Sequence, residues 1–388
     1  VNLDVTAVCS ALIGIDTQNP PGNEAILGAY VAELLTAHGF DIEWIGQDPL
    51  RANLIATLCR GPGPRVILQA HADTKPATAV GGTNLWNTDP FAAAIDGDRL
   101  YGVGACDTKG AMAVFLCAAT TLAARSDWSG TLIVQCVADE EDGSVWGAQL
   151  LAEHGLLTAD AAIVGEPTGC RPSLAQLGLA WAEVTITGRT THAGTPLQGA
   201  DAFRAATSYI DALDELVAKL PTDPDFPGHP RVNVGYMQIP GHPGTVAGEC
   251  VLRADIRVLP SQDRDHIAEL YRTAAASLSS DKVRIAVAAY QGGGCHSHFI
   301  GTDTDLARAF AHAQRETGQQ VATEQFLGGS DARFFGPAGT PAVVFGPGSL
   351  RHAHSPNEFV PIAELVLATG QVGVVLEQIF QISSLPPM

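Results

Sequence analysis

The sequence predicts an α/β protein: a mostly parallel sheet with helices on both faces, interrupted by a smaller α+β unit. Three observations carry that expectation. Short Val/Ile/Leu runs alternate with helical patterns in the first and last parts of the chain, which is the order of βαβ units. The middle changes character, with alternating strands and helices of amphipathic spacing. The 388 residues are 46% apolar and only 16% charged, below the roughly 25% charged residues usual in soluble proteins, so there is material for large cores in two or three domains.

Taken in order, a helix is expected over residues 23–38 and a strand at Arg65-Val-Ile-Leu-Gln-Ala70. The nearly unbroken apolar run 111–124 is too short to cross a hydrocarbon layer of about 30 Å and reads as part of a buried helix over 109–124. Strands follow at 130–137 and 159–164, with a helix over 144–154 between them, and a last core strand is expected at 340–345. In the middle, 181–187 alternates, 202–220 has helical spacing, 231–238 and 250–258 are strand-like, 266–278 is helical, and 283–288 closes the unit as a strand. The expected division is residues 1–176 with 292–388, and 177–291, the Gly292-Gly-Gly294 stretch returning the chain to the α/β core. Residues 221–230 are the most turn-rich and are expected to form a surface loop.

Lys and Arg total 22 against 41 Asp and Glu, a net charge of −19. Such a chain repels a phosphate backbone, so nucleic acid and anionic membranes are not expected partners. The cysteines Cys9, Cys59, Cys106, Cys117, Cys136, Cys170, Cys250 and Cys295 stand singly, with no CxxC pair, so neither a thiolate zinc site nor a disulfide framework is suggested. Residues 1–14 contain no basic leader. A reducing cytoplasm is the expected compartment.

Chemistry collects where the core strands end. The first leads into His71-Ala-Asp73, the second into Asp139-Glu-Glu-Asp142, the third into Gly165-Glu166-Pro167, and the fourth through Gly346-Pro-Gly348 to His352-Ala-His354. In an open α/β sheet ligands sit beyond the carboxyl ends of the strands, so these residues are expected on one rim, with Asp107 joining them from the loop before the buried helix. Singly, each is an ordinary histidine or a solvated acidic run. Together, two histidines and several carboxylates match the N/O donor set of a catalytic zinc site. Two such sites sharing one carboxylate need five residues, a number that His71, Asp107, Glu141, Glu166 and His354 supply.

Six segments then acquire a common meaning: His71-Ala-Asp-Thr-Lys-Pro76, Leu85-Trp-Asn-Thr-Asp-Pro-Phe91, Leu100-Tyr-Gly-Val-Gly-Ala-Cys-Asp-Thr-Lys-Gly110, Asp139-Glu-Glu-Asp-Gly143, Gly165-Glu-Pro-Thr168 and Ala353-His-Ser-Pro-Asn-Glu358. In this order they resemble the di-zinc amidohydrolases that include acetylornithine deacetylase, succinyl-diaminopimelate desuccinylase and glutamate carboxypeptidase. The resemblance implies a catalytic α/β domain interrupted by a lid that commonly dimerises, hence a homodimer. It implies two Zn²⁺ per chain, with Co²⁺ as a substitute. Asp107 would bridge the metals, His71 and Glu166 completing one site and Glu141 and His354 the other. Asp73 resembles the carboxylate that holds the first histidine, a task that residues two apart at a strand end can share; a turn-capping aspartate is the other reading. Glu140 resembles the general base, so Glu140 and Asp73 are the catalytic candidates. The residues alone do not distinguish Glu140 from Glu141; the family assigns the ligand to the second.

The middle unit would supply substrate contacts. Gly188-Arg-Thr-Thr-His192-Ala-Gly-Thr-Pro196 resembles the segment whose histidine reaches a neighbouring subunit's site and stabilises the oxyanion; a hydrogen-bonded turn histidine is the other reading of His192. Asp255-Ile-Arg257-Val-Leu-Pro260 resembles the strand whose arginine holds a substrate carboxylate, a role suited to a planar fork; the other reading of Arg257 is an ion pair with Asp255 or Glu249. Lys75 departs from the apolar residue usual beside the metal loop, and Thr245 and Asp201 stand where asparagines are common. His296 and His298 read as a loop pair without metal. The expected reaction is removal of an acetyl or succinyl type acyl group from an N-acyl amino acid with a free carboxylate, by a zinc-activated water. A carboxypeptidase or dipeptidase is the alternative within the family, and a non-catalytic metal or ligand-binding protein the alternative outside it.

Overall fold

The computed structural model describes residues 3–78, 85–223 and 230–381. The chain divides into two units, Val1–Ala175 with Phe299–Met388, and Gln176–His298. Of the turn-rich stretch 221–230, residues 224–229 lie outside the described residues.

The first unit is built on a nine-stranded sheet. Its order is Asp41–Ile45, Asn53–Cys59, Thr131–Val137, Arg65–His71, Ala161–Val164, Ala342–Val344, Ser173–Gln176 and His298–Phe299, with Glu324–Phe326 also pairing on Ser173–Gln176. The four central strands, from Thr131–Val137 to Ala342–Val344, are parallel. Their apolar runs are continuous because successive side chains go to opposite faces and both faces are covered. Val66, Leu68, Leu132, Val134, Ile163 and Val343 join a core with the helices Val5–Ile13, Glu24–Thr36, Lys109–Ala123 and Ile362–Ile379. Ile67, Ile133, Ala162, Val164 and Val344 join another with Leu151, Phe326 and Phe335.

Beyond the parallel centre the sheet is mixed, which the apolar runs did not announce. Asn53–Cys59 lies antiparallel to Thr131–Val137 and to Asp41–Ile45, and Ala342–Val344 is antiparallel to Ser173–Gln176. The cause is connection length: residues 60–64 cannot make the crossover of about a dozen residues that a parallel return requires, so the strands on either side run in opposite directions. The expected helix over 144–154 begins only at Ala148, after a turn through Ser144 and Gly147. The helix Ile362–Ile379 is the one helix among the described residues long and apolar enough to cross a membrane. It packs on Lys109–Ala123 and Asp305–Glu316, turning Leu365, Ala368, Val372, Val375 and Leu376 into the core.

The second unit is a four-stranded antiparallel sheet in the order Val232–Gln238, Glu249–Val258, Gly178–Thr187, Arg284–Cys295. Alternate residues Ala180, Val184, Ile186, Leu252, Ile256 and Val258 meet Tyr209, Leu213, Ile267 and Tyr271 of the helices Ala202–Val217 and Arg264–Leu278. Asp201 and Asp263 cap these helices, each accepting two backbone N–H groups, so Asp201 has a structural task of its own. Gly292-Gly-Gly294 is not the return linker. It lies inside Arg284–Cys295, at a register shift between Ala289 and Gly294. Gly294 has φ +89°, and a Cβ there would collide with the Leu179 carbonyl, so glycine is what lets the strand continue through the irregularity.

Candidate metal centre

The parallel centre of the sheet brings the predicted donors to one rim. His71 is the last residue of its strand, Glu140 and Glu141 open the short 3₁₀ turn Glu140–Asp142 after Thr131–Val137, and Glu166 follows Ala161–Val164. Gly165 makes that last placement close, since a Cβ would lie 2.8 Å from Ala111 Cβ and 3.0 Å from Ala70 Cβ. Asp107 precedes the helix Lys109–Ala123, and His354 comes from the loop beyond Ala342–Val344.

Asp107 sits between the two histidines. Its Oδ1 is 3.1 Å from His71 Nε2 and its Oδ2 is 3.2 Å from His354 Nε2. His354 Nε2 is also 2.9 Å from Glu141 Oε1. Two donor groups result, His71 with Asp107 and Glu166, and Asp107 with Glu141 and His354, each holding its ligand atoms within 4.8 Å of one another. Burial works against the charged form of His71, but its hydrogen bonds to Asp107 and Asp73 outweigh this and raise its pKa well above the ordinary value. For Asp107 burial is likewise outweighed, by His354 and His71, and its pKa is lowered. Glu166 goes the other way, pushed well up by burial and then by the charges of Asp107 and Glu140. Crowded, buried carboxylates with imidazole and no thiolate fit divalent cations, because the excess negative charge is of the kind a metal offsets. Cys106, beside Asp107, is buried with its thiol pushed well above the usual range and belongs to neither group.

The supporting residues are as definite as the donors. His71 Nδ1 lies 2.9 Å from the carbonyl oxygen of Asp73 and 3.5 Å from its Oδ1. The Asp73 carboxylate accepts the N–H groups of Glu140 and Glu141, each at 3.1 Å, and the Asn19 amide at 3.0 Å. It therefore holds the acidic turn as well as facing the histidine. Glu358, buried, accepts the N–H groups of Gly104, Cys106 and Asp107 at 3.1, 2.9 and 3.1 Å, and burial pushes its pKa up to about 7. Arg51 links Glu24 and Asp139, at 2.8 Å to each. Glu140 has 12% of its side chain exposed, with Arg333 Nη1 3.7 Å away, and burial raises its pKa to about 8. Arg333 also donates to Ser144 Oγ at 2.6 Å, and Ser144 donates to Asp331 at 2.6 Å. Sequence reading assigned Glu358 no role although it ends a recognised motif, and it passed over Arg333 and Arg51, whose only signal is a lone charge near an apolar run.

His192 and Arg257 belong to the second unit. His192 is exposed, and its Nδ1 accepts the Gly194 N–H at 3.0 Å, a turn-histidine arrangement. Arg257 Nε is 2.8 Å from Asp255 Oδ2, so the sheet-surface ion pair is present. His296 is exposed, whereas His298 is buried in the strand His298–Phe299 instead of a loop; neither belongs to the two donor groups found among the described residues.

Residues 67–376 match the model of peptidase family M20/M25/M40. The chain is 32% identical over 376 residues to acetylornithine deacetylase from Myxococcus xanthus, covering 93% of each, and 30% identical over 360 residues to that from Vibrio cholerae serotype O1, covering 90% of each. Among solved structures it superposes on an M20 family metallo-carboxypeptidase from Sulfolobus solfataricus with a TM-score of 0.81 at 18% identity, covering 98% of this chain and 100% of the other, a likeness of fold. The paired donor groups thus stand in a chain that belongs to peptidase family M20/M25/M40 and is a metal-dependent hydrolase.

Proposed function

We propose that the protein hydrolyses the amide bond of an N-acyl amino acid, releasing a carboxylate and the free amino acid. The observation that carries this reading is Asp107, which turns one carboxylate oxygen toward each of two histidines that end different donor groups. His71, Asp107 and Glu166 would hold one divalent ion, and Asp107, Glu141 and His354 the second. Two such ions, zinc or cobalt, would when bound supply acidity to a water and polarise the scissile carbonyl. Glu140 takes the proton from the water as the new C–O bond forms and then delivers it to the leaving nitrogen, so that the amide C–N bond breaks and the amine departs. Asp73 positions that base by holding the backbone of Glu140 and Glu141.

Arg257 is assigned to the substrate carboxylate, which would share the guanidinium with Asp255. His192 is assigned to the oxyanion of a neighbouring subunit in a homodimer formed by the second unit, Gln176–His298. The acyl amino acid is favoured over a peptide by the acetylornithine deacetylase relatives. The test is the rate of acetate or succinate release from a panel of N-acyl amino acids, with zinc or cobalt supplied, against the rate of cleavage of dipeptides. Faster dipeptide cleavage would replace the deacylase reading with a peptidase.

A further inference from the structure

A cavity of about 150 Å³ opens beside the donor group of Asp107, Glu141 and His354, and its lining includes Lys75, Trp86, Val103 and Pro356. We propose that this cavity is a substrate subsite selecting a carboxylate, with Lys75 as its specificity-determining residue. The inference rests on the amide-hydrolase reading and deepens it.

Lys75 carries the one permanent positive charge among the described residues lining the cavity. Its side chain is 39% exposed, and its ammonium donates to the Glu141 carbonyl and stands 3.5 Å from Glu141 Oε2. An ammonium has three donors, one more than its two contacts to Glu141 use. Glu141 joins the cation to the metal donors: its other oxygen, Oε1, is 2.9 Å from His354 Nε2. The cation is therefore linked through the single carboxylate of Glu141 to the donor group of Asp107, Glu141 and His354. A carboxylate two methylenes beyond a scissile carbonyl extends roughly 5 Å from it, which carries it from the donor group into the cavity that Lys75 also lines. Trp86 is fixed by donating Nε1–H to the Ala77 carbonyl at 2.8 Å, and with Val103 and Pro356 it forms an apolar wall for the intervening methylenes.

The carboxylate could be the distal acid of a succinyl-type acyl group or the side chain of an acidic amino acid, and the experiment separates them. The zinc-loaded full chain and its Lys75→Met and Lys75→Arg variants are assayed with N-succinyl-leucine, N-acetyl-glutamate and N-acetyl-leucine. Binding of succinate and of acetate is measured by calorimetry on the same proteins. In Lys75→Met the specificity for one acidic substrate relative to N-acetyl-leucine should fall about tenfold or more, the weight of one charge-assisted hydrogen bond, and Lys75→Arg should restore most of it. A fall confined to N-succinyl-leucine, with succinate binding weakened and acetate binding not, assigns the acid to the acyl group. A fall confined to N-acetyl-glutamate assigns it to the amino acid. An equal loss on all three substrates, or no change in either ratio, overturns the subsite. If no substrate is turned over by the unsubstituted protein the amide-hydrolase reading fails; succinate binding that still depends on Lys75 would then leave the carboxylate site standing, and binding that does not would remove both.

Discussion

The carboxylate of Asp73 accepts the backbone N–H of Glu141 at 3.1 Å, while the carbonyl oxygen of the same residue lies 2.9 Å from His71 Nδ1. One aspartate thus ties a donor of one group to a donor of the other, and its second oxygen holds the backbone N–H of Glu140 at 3.1 Å. Tethering of this kind orients ligands before any ion arrives.

Glu140→Ala should retain both ions and lose turnover by roughly 10² to 10⁴, the contribution of general base action. Metal content measured on the same preparation used for kinetics checks it. A metal-replete variant with near-normal rate would remove Glu140 from its role.

Asp107 is common to both donor groups, and His354 belongs to one. Asp107→Ala should therefore bring metal content from about two ions per chain to near zero, while His354→Ala should leave about one. Elemental analysis after gel filtration reads the difference. Chelation should abolish hydrolysis and lower the melting temperature, because a ligand that binds only the folded state stabilises it by mass action. Added zinc or cobalt should restore both.

Glu358 is the acceptor for three N–H groups of the Asp107 loop. In Glu358→Gln one end of the side chain becomes a donor and meets a donor, leaving a buried N–H unpaired at a cost of about 1–3 kcal/mol. The melting temperature of the metal-free protein should fall accordingly. Metal affinity, read by competition with a chromogenic chelator, should weaken about 10- to 100-fold as the shared carboxylate loses its support. Unchanged affinity would show that the loop holds its own shape.

Arg333 lies among Glu140, Asp331 and Ser144 with 8% of its side chain exposed. Removing it as Arg333→Met leaves buried carboxylates without this cation, and breaking such a pair typically costs about 3–5 kcal/mol. Denaturant unfolding of the metal-free protein measures it. A loss below about 1 kcal/mol would mean that the carboxylates accept protons in its place.

A mixed dimer of His192→Ala and Glu140→Ala chains tests whether His192 serves a neighbouring subunit. If it does, one of the two sites in a two-fold dimer is complete, and the heterodimer should show roughly half the wild-type rate while each parent stays inactive. Absence of complementation would leave His192 as the turn residue its bond to Gly194 makes it.

The sequence by itself determined where the central strands run and which residues end them. Alternation and apolar run length are properties of a few neighbouring residues, so Arg65–His71, Thr131–Val137 and Ala161–Val164 were legible, and with them the rim that carries His71, Glu140, Glu141 and Glu166. The motif order named the family for the same reason. Tertiary structure alone decided what supports that rim. Glu358 is more than 250 positions from the loop it holds, Arg333 reaches Ser144 across 189, and Arg51 meets Asp139 across 88. No local pattern encodes such partners, because a buried charge is satisfied by whichever segment the packed chain brings past it. The antiparallel flanks of the sheet and the irregularity at Gly294 escaped notice on similar grounds: strand direction follows from the connection and the neighbour, and only the assembled sheet contains both.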